Sequence, residues 1–334
     1  MRKNFGPDTS AVVAEKKKIV VIGGGTGPTA LLTGLRELGG KARYDITAVV
    51  GMADSGGSSG RLRDELGVLP PGDVLKALLA LSSKPYARDL LLYRFNGDLS
   101  ARLHGHTVGN LFLSMMSQFA GDYLQALTAM EQLLDCQGKV LPASLDKANL
   151  VATIGRGEVI VGEGRIESWI YRQNGGADSR IKSVSLQPAA SILPAARDAI
   201  RAAHLVVIGP GSFFTSLMAV LDVGGLISEL AGKKIAYVVN LTTNHRETPR
   251  WKASRFLAEL ERKLARKVDY AVCNTSIPEQ IQSRYREEGA GTVKADLPTS
   301  YGKRLILCAN LVPEDSVLAR HDPMRLATLL VSIL

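Results

Sequence analysis

The stretch Val20-Val21-Ile22-Gly23-Gly24-Gly25-Thr26-Gly27-Pro28 decides how this chain reads. An aliphatic run at 19–22 enters a glycine turn, and a helical pattern over 28–38 leaves it. Glycines let a backbone turn tightly and approach a ligand, and proline suits the first helical turn, where no N–H is needed. The N–H groups and dipole of the helix start then favour an anion. Gly25-x-Gly27-x-x-Ala30 satisfies the dinucleotide fingerprint, which alone is a weak signal; the bland alternative is a tight strand–helix turn with no ligand.

A second small-residue string follows the next aliphatic run, 46–50. It reads Asp54-Ser55-Gly56-Gly57-Ser58-Ser59-Gly60-Arg61. We read it as a loop forming a second anion cradle, with hydroxyl donors and a bidentate arginine. A hydride-transfer enzyme accounts for Gly25, Gly27 and Asp54 but does not require this second string; a flexible linker is the other alternative. A third loop, Gly209-Pro210-Gly211-Ser212, ends the run at 205–208, with Ser212 or Thr215 able to cap the helix that follows.

Working outward, further runs at 235–239, 269–273 and 305–308 alternate with helical patterns at 72–82, 86–95, 107–119, 122–135, 193–202, 215–231, 251–266, 278–287 and 322–333. Continuous Val/Ile runs fit parallel strands covered on both faces. The fold class expected is α/β, a doubly wound, mostly parallel sheet with helices on both faces. Residues 149–187 read as a small antiparallel β insertion, residues 1–17 as a disordered tail, and 18–334 as one nucleotide-binding domain. Ligands of such sheets bind outside the carboxyl ends of the strands, where the strand order reverses.

The 334 residues are 46% hydrophobic and 22% charged, with a net charge of +9 that fits a phosphorylated ligand or an unspecific basic surface. Residues 246–267 carry eight Lys/Arg and three Glu on a helical pattern, read as a solvated face or a binding patch. Aromatics are only 5%, and no nucleic-acid-binding motif occurs. Nor is there a signal peptide or an unbroken apolar span, so neither a nucleic-acid nor a membrane partner is expected. Three dispersed cysteines fit a reducing, cytoplasmic setting and give no zinc site. His104-Gly105-His106 could read as a metal pair, but without companion ligands a polar helix start is the better reading, and no metal site is assigned. Pro70-Pro71-Gly72-Asp73 is a further helix opening, either a capped turn or part of the site.

Eight segments, in order, resemble the CofD/YvcK family. They are Gly23-Gly24-Gly25-Thr26-Gly27; Gly56-Gly57-Ser58-Ser59-Gly60-Arg61-Leu62-Arg63-Asp64-Glu65-Leu66-Gly67; Leu69-Pro70-Pro71-Gly72-Asp73; Gly105-His106-x-x-Gly109-Asn110; Gly138-x-Val140-Leu141-Pro142-Ala143; Gly209-Pro210-Gly211-Ser212 with Thr215-Ser216; Asn240-Leu241; and Arg320-His321-Asp322-Pro323. The resemblance implies a Rossmann-like fold and a nucleotide diphosphate ligand. One branch is 2-phospho-L-lactate transferase, which moves a phospholactyl group from a guanosine diphosphate carrier to a deazaflavin with magnesium. The other, the gluconeogenesis-factor branch, binds UDP-N-acetylglucosamine and supports cell shape and peptidoglycan precursor supply on gluconeogenic carbon. The second, third and last segments are closer to this branch.

On that resemblance the diphosphate is expected on Gly24, Gly25, Thr26, Gly27, Gly57, Ser58, Ser59, Gly60 and Arg61, with Gly209, Gly211 and Ser212 nearby. His106, Asn110, Asn240, Thr243 and Asn274 are expected at the base or sugar. Asp54 positions a ribose hydroxyl or water, or acts as general base if there is chemistry. Two departures stand out. Ser55 replaces the second acid of the family's Asp-Asp-Gly-Gly, which weakens a magnesium-dependent transfer. After Asn240-Leu241 only Thr243, Glu247 and Thr248 persist from the family loop. No cofactor is expected beyond Mg2+ in the transferase case, and the chain is expected to form a homo-oligomer.

Overall fold

The computed structural model describes residues 15–96, 102–172, 180–244, 247–287, 290–298, 300–301 and 304–334. The strands are β1 (Lys17–Gly23), β2 (Tyr44–Val50), β3 (Lys139–Pro142), β4 (Asn149–Ile154), β5 (Glu158–Val161), β6 (Ile181–Gln187), β7 (Leu205–Ile208), β8 (Ile235–Val238), β9 (Thr242–Thr243), β10 (Tyr270–Asn274), β11 (Gly291–Thr292), β12 (Ser300–Tyr301) and β13 (Arg304–Ala309). The helices are α1 (Gly27–Glu37), α2 (Gly40–Arg43), α3 (Gly57–Leu66), α4 (Gly72–Leu81), α5 (Pro85–Leu92), α6 (Val108–Ala120), α7 (Tyr123–Leu133), α8 (Glu163–Arg172), α9 (Pro194–Ala202), α10 (Ala219–Leu221), α11 (Leu226–Glu229), α12 (Ala253–Leu264), α13 (Glu279–Glu287) and α14 (Pro323–Val331), with a π-helical turn at Phe213–Met218.

Seven parallel strands run in the order β13-β10-β8-β7-β1-β2-β3, and β12 adds an antiparallel edge beside β13. Sequence order reverses between β1 and β7, paired with Ile19 opposite Leu205 and Ile22 opposite Ile208. Alternate side chains of β1 serve opposite faces, because successive residues of a strand point to opposite sides. Val20 and Ile22 join the core shared with β7, β8, α9, α12 and the small sheet. Ile19 and Val21 join the core under α1, α4, α6, α7 and α14. This is the two-sided burial that the unbroken Val/Ile runs imply.

The insertion is a three-stranded antiparallel sheet, β5-β4-β6, as expected. It also holds α8, which the glycine-flanked sequence hid. Three other expectations need correction. The Gly-Ser string is not a loop: from Gly57 it is the first turns of α3. The helix expected over 215–231 is broken into the π turn, α10 and α11. The strand β3 falls within a segment read only as a family motif. The first 14 residues and positions 245–246 lie outside the described residues.

The Arg-His-Asp-Pro segment closes the fold against α1. Asp322 Oδ1 accepts the Arg325 N–H at 2.8 Å and caps α14, with Pro323 in its first turn. A Cβ on Gly34 would overlap the Pro323 carbonyl and lie 2.7 Å from Ala327 Cβ, so glycine is what lets the two helices meet. Among the described residues no helix is long and apolar enough to cross a membrane.

Candidate functional site

The switch point lies between the carboxyl ends of β1 and β7, and both strands end there in glycine loops. The loops touch. A Cβ on Gly27 would overlap the carbonyl oxygen of Pro210 and lie 2.8 Å from Gly211 Cα. Glycine at 27 is thus required by close approach between two backbones. The start of α1 is thereby held against the 209–212 loop.

The amides of these loops are already engaged by carboxylates. Asp73, in the first turn of α4, accepts the Gly25 N–H at 2.6 Å through Oδ2 and Lys76 Nζ at 2.9 Å through Oδ1. Burial lowers the Lys76 pKa, but the charge and hydrogen bond of Asp73, together with the charges of Asp54 and Glu163, outweigh it and hold Lys76 above its ordinary range. Glu247 is buried beneath the other loop. Its Oε1 accepts the N–H groups of Phe214 (2.6 Å) and Thr215 (3.0 Å), and its Oε2 accepts the Ser212 hydroxyl at 2.7 Å. Neither Ser212 nor Thr215 caps the π turn, contrary to the sequence reading. Burial pushes Glu247 up, opposed by these hydrogen bonds.

Three more carboxylates gather at the start of α3. Asp54 Oδ1 accepts the Gly56 N–H at 2.9 Å, and Glu163 Oε2 accepts the Ser55 N–H at 3.1 Å. A Cβ on Gly56 would be 3.5 Å from Asp54 Oδ1, 3.8 Å from Glu167 Oε2 and 3.9 Å from Glu163 Oε2. Glu163 and Glu167 share one face of α8 because they are four residues apart. Burial, then the neighbouring Asp54 charge and a hydrogen bond to Asp54, hold Glu163 protonated far above the usual carboxyl range. The Ser55 hydroxyl accepts the Gly164 N–H at 3.3 Å. So where Ser55 replaces an acid, the second carboxylate beside Asp54 is Glu163, from the insertion. The sequence reading missed Glu163 and Glu167 and left Asp73 undecided. The i, i+4 acids flanking Ile166 were the available signal.

The remaining residues named from sequence divide into two groups. Ser58 is buried on α3, with its Oγ 2.9 Å from His106 Nδ1, and it accepts the Asn110 side-chain amide at 3.0 Å. Burial and then Arg61 push the His106 pKa down, so the ring is neutral near pH 7. Ser59 Oγ accepts the Gly72 N–H at 3.1 Å, tying α3 to α4. Arg61 Nη2 donates to the His104 carbonyl at 2.6 Å. Asn240, just after β8, donates to the Gly211 carbonyl at 2.7 Å, and its own carbonyl oxygen is buried with no protein partner. These contacts tie the start of α3 to α4, α6 and the 104–106 turn, and the end of β8 to the 209–212 loop.

The others are held in local structure. Thr243 Oγ1 bonds Gly291 across the β9–β11 pair. Asn274 donates to the Ser276 carbonyl and accepts the Leu311 N–H. The basic helix α12 buries Phe256, Leu257, Leu260 and Leu264. Its Arg255 stacks on Trp251 at 4.5 Å, and with Arg262, Arg156, Arg180 and Lys182 it lines a groove against the small sheet.

The family model described as 2-phospho-L-lactate transferase CofD matches residues 19–311. The chain belongs to the CofD family. Within that family it is similar to the gluconeogenesis factor of Bacillus subtilis, at 37% identity over 96% of this chain and 99% of the other. The gluconeogenesis factor of Halalkalibacterium halodurans is 37% identical over 84% of this chain and 85% of its own. A crystal structure of a Bacillus halodurans protein superposes with a TM-score of 0.85 at 34% identity, covering 95% of this chain and all of that one. The doubly wound sheet and the glycine loops at its switch point are thus a CofD-family architecture, and its full-length relatives carry the gluconeogenesis-factor name.

Proposed function

We propose that this chain binds a nucleoside diphosphate sugar of the UDP-N-acetylglucosamine kind in the β1–β7 crevice. It acts as a cytoplasmic regulatory protein for cell shape and peptidoglycan precursor supply during gluconeogenic growth. The observation that carries the reading is the contact of the 23–27 loop with the 209–212 loop at the switch point. It sets the start of α1 beside the 209–212 loop, where the helix dipole of α1 favours an anion. The diphosphate lies on Gly24, Gly25, Thr26 and Gly27, facing Gly209, Gly211 and Ser212. The start of α3, from Gly57 to Arg61, forms the third wall. The unpartnered carbonyl oxygen of Asn240 awaits a donor, which a uracil N–H or a sugar hydroxyl supplies. His106 and Asn110 line the same side through Ser58.

A second reading has one specific observation in its favour. Two carboxyls joined by a shared proton, as Asp54 and Glu163 are, form a pair that a cation can bridge in the proton's place. Mg2+ commonly takes one or two protein carboxylates and completes its shell with phosphate oxygens and water. A Mg2+ held by Asp54 and Glu163 would neutralise diphosphate charge, and this serves the transferase alternative with a deazaflavin acceptor.

Calorimetric titration with UDP-N-acetylglucosamine, GDP and NADH separates the readings. Saturable binding of the uridine sugar alone is expected. GDP binding instead would replace the regulatory reading by the transferase one, and binding of neither would remove the nucleotide assignment.

A further inference from the structure

The basic helix α12 faces the small sheet across a groove. Arg255, Glu259 and Arg262 fall at i, i+4 and i+7 of α12, so they share one face, away from the buried Phe256, Leu257, Leu260 and Leu264. Across from them, Ile181 of β6 is buried, and Arg180 and Lys182 on either side of it are exposed. The Gly155 N–H bonds the Arg180 carbonyl at 3.1 Å, which brings Arg156, in the turn between β4 and β5, alongside. These residues line a cavity of about 450 Å³, a volume within the range of small-molecule sites.

The lining specifies the ligand. Among the described residues five cations meet one acid, and that acid, Glu259, already accepts Arg262 Nε at 2.9 Å. The positive excess is what two phosphate monoesters balance, at about −1.5 to −2 each near pH 7. Four of the five cations are arginines, whose planar forks take phosphate oxygens two at a time. Arg255 stacks its guanidinium on the Trp251 ring, which fixes its plane and leaves its N–H edges for oxygens. The aromatic rings of the lining, Phe214 and Trp251, are each only 6% exposed. A nucleobase therefore finds no open ring to stack on. The size of the cavity suits a compact molecule rather than an extended chain.

We propose that this groove is a second anion site, for a compact ligand carrying two phosphate groups, of the sugar bisphosphate kind. Its occupant reaches the 209–212 loop from outside. Phe214 lines the groove, and its own N–H is one that Glu247 accepts, at 2.6 Å, in holding the 212–215 turn. Trp251 lies four residues after Glu247, with its N–H on the Thr248 carbonyl at 3.2 Å. A bisphosphate in the groove thus bears on the turn that faces the first glycine loop, and by linkage a crevice ligand shifts bisphosphate affinity by the same factor. That coupling rests on nucleotide binding in the crevice; the groove's own ligand does not.

The test is calorimetric titration of the full chain with fructose 1,6-bisphosphate, with glucose 6-phosphate and a hexaglutamate peptide as controls. Saturable binding of the bisphosphate is expected, at least ~10-fold tighter than the monophosphate. Arg180→Glu/Lys182→Glu, which changes only exposed positions, is expected to weaken it at least ~10-fold, with unchanged circular dichroism. Without bisphosphate, the same variant should keep its affinity for UDP-N-acetylglucosamine. Trp251 fluorescence, isolated by Trp169→Phe, should change on bisphosphate addition, because Arg255 sits on that ring. Binding that survives the double change, or that leaves Trp251 fluorescence unmoved, places the bisphosphate elsewhere and overturns the proposal. So does a wild type that binds no bisphosphate, and so does one that takes the hexaglutamate peptide in preference. Should the uridine sugar fail to bind, the crevice reading falls, and the double change still decides the groove.

Discussion

Replacing Glu163 with glutamine tests the electrostatics of the crevice directly. Burial and Asp54 keep the Glu163 carboxyl protonated far above the ordinary range. In the unfolded chain it ionises near ~4.3. Between those limits the folded state holds a proton that the unfolded state has lost, so stability falls as pH rises through that window. The fall is about 1.4 kcal/mol per pH unit. From pH 5 to pH 8 this gives at most about 4 kcal/mol. Asp54 shares the proton and the crevice opens to water, so about half of that, ~2 kcal/mol, is the expected penalty. Glutamine keeps the shape and the donated hydrogen bond but cannot ionise. Thermal unfolding of both proteins across this range should give similar midpoints near pH 5. By pH 8 the Glu163→Gln variant should unfold about 3 °C higher. Parallel pH profiles, or a wild type that gains on the variant as pH rises, would refute a neutral Glu163.

Gly27→Ala forces the two glycine loops apart; a loss of about 1–3 kcal/mol in denaturant unfolding and at least a ~10-fold loss of nucleotide affinity by calorimetry are expected. Ser58→Ala strips the buried partner from His106 and Asn110, and urea unfolding should show a loss of about 1–3 kcal/mol. His321 is buried with an unpartnered Nε2, and burial pushes it down to about 4. The unfolded chain takes up that proton from about pH 6.5. Stability is therefore lost as pH falls from about 6.5 towards 4, by at most ~3 kcal/mol, and His321→Gln should flatten this acid limb in urea midpoints at pH 7 and 4.5.

The parallel sheet was legible because β1, β2, β7 and β8 are aliphatic runs that bury both faces. The start of α3 was not. Gly57, Ser58, Ser59 and Gly60 are poor helix formers, and their intrinsic preference points to a loop. Packing overrides it: Ser58, Ser59 and Gly60 are buried, and a Cβ on Gly60 would overlap the Ser55 carbonyl. Small residues are present for close approach, not for flexibility. The strand β3 escaped because its four residues end in proline at the edge of the parallel set. In the site, the glycine loops announced themselves because each is a local string. The carboxylates did not, since Asp54, Asp73 and Glu163 come from three separate segments and meet only when the sheet closes, and Glu247 comes from a fourth. Glu247 in particular was visible only as a surviving family residue, although it organises the whole 212–215 turn.

The pairing of β1 with β7 also sets when, during synthesis, the proposed binding site can form. β2 follows β1 almost at once, but Leu205, the partner of Ile19, comes far later in the chain. At a translation rate of about 5–20 residues per second, the first glycine loop waits on the order of ten seconds or more for its opposite wall. Glu247, which pins that wall, arrives later still. Through that interval one side of β1 is an open, aliphatic strand edge, the kind that recruits other chains. Nascent or truncated products ending before β7 therefore carry the first two glycine motifs without the wall opposite them, and they are the forms of this chain most in need of a chaperone.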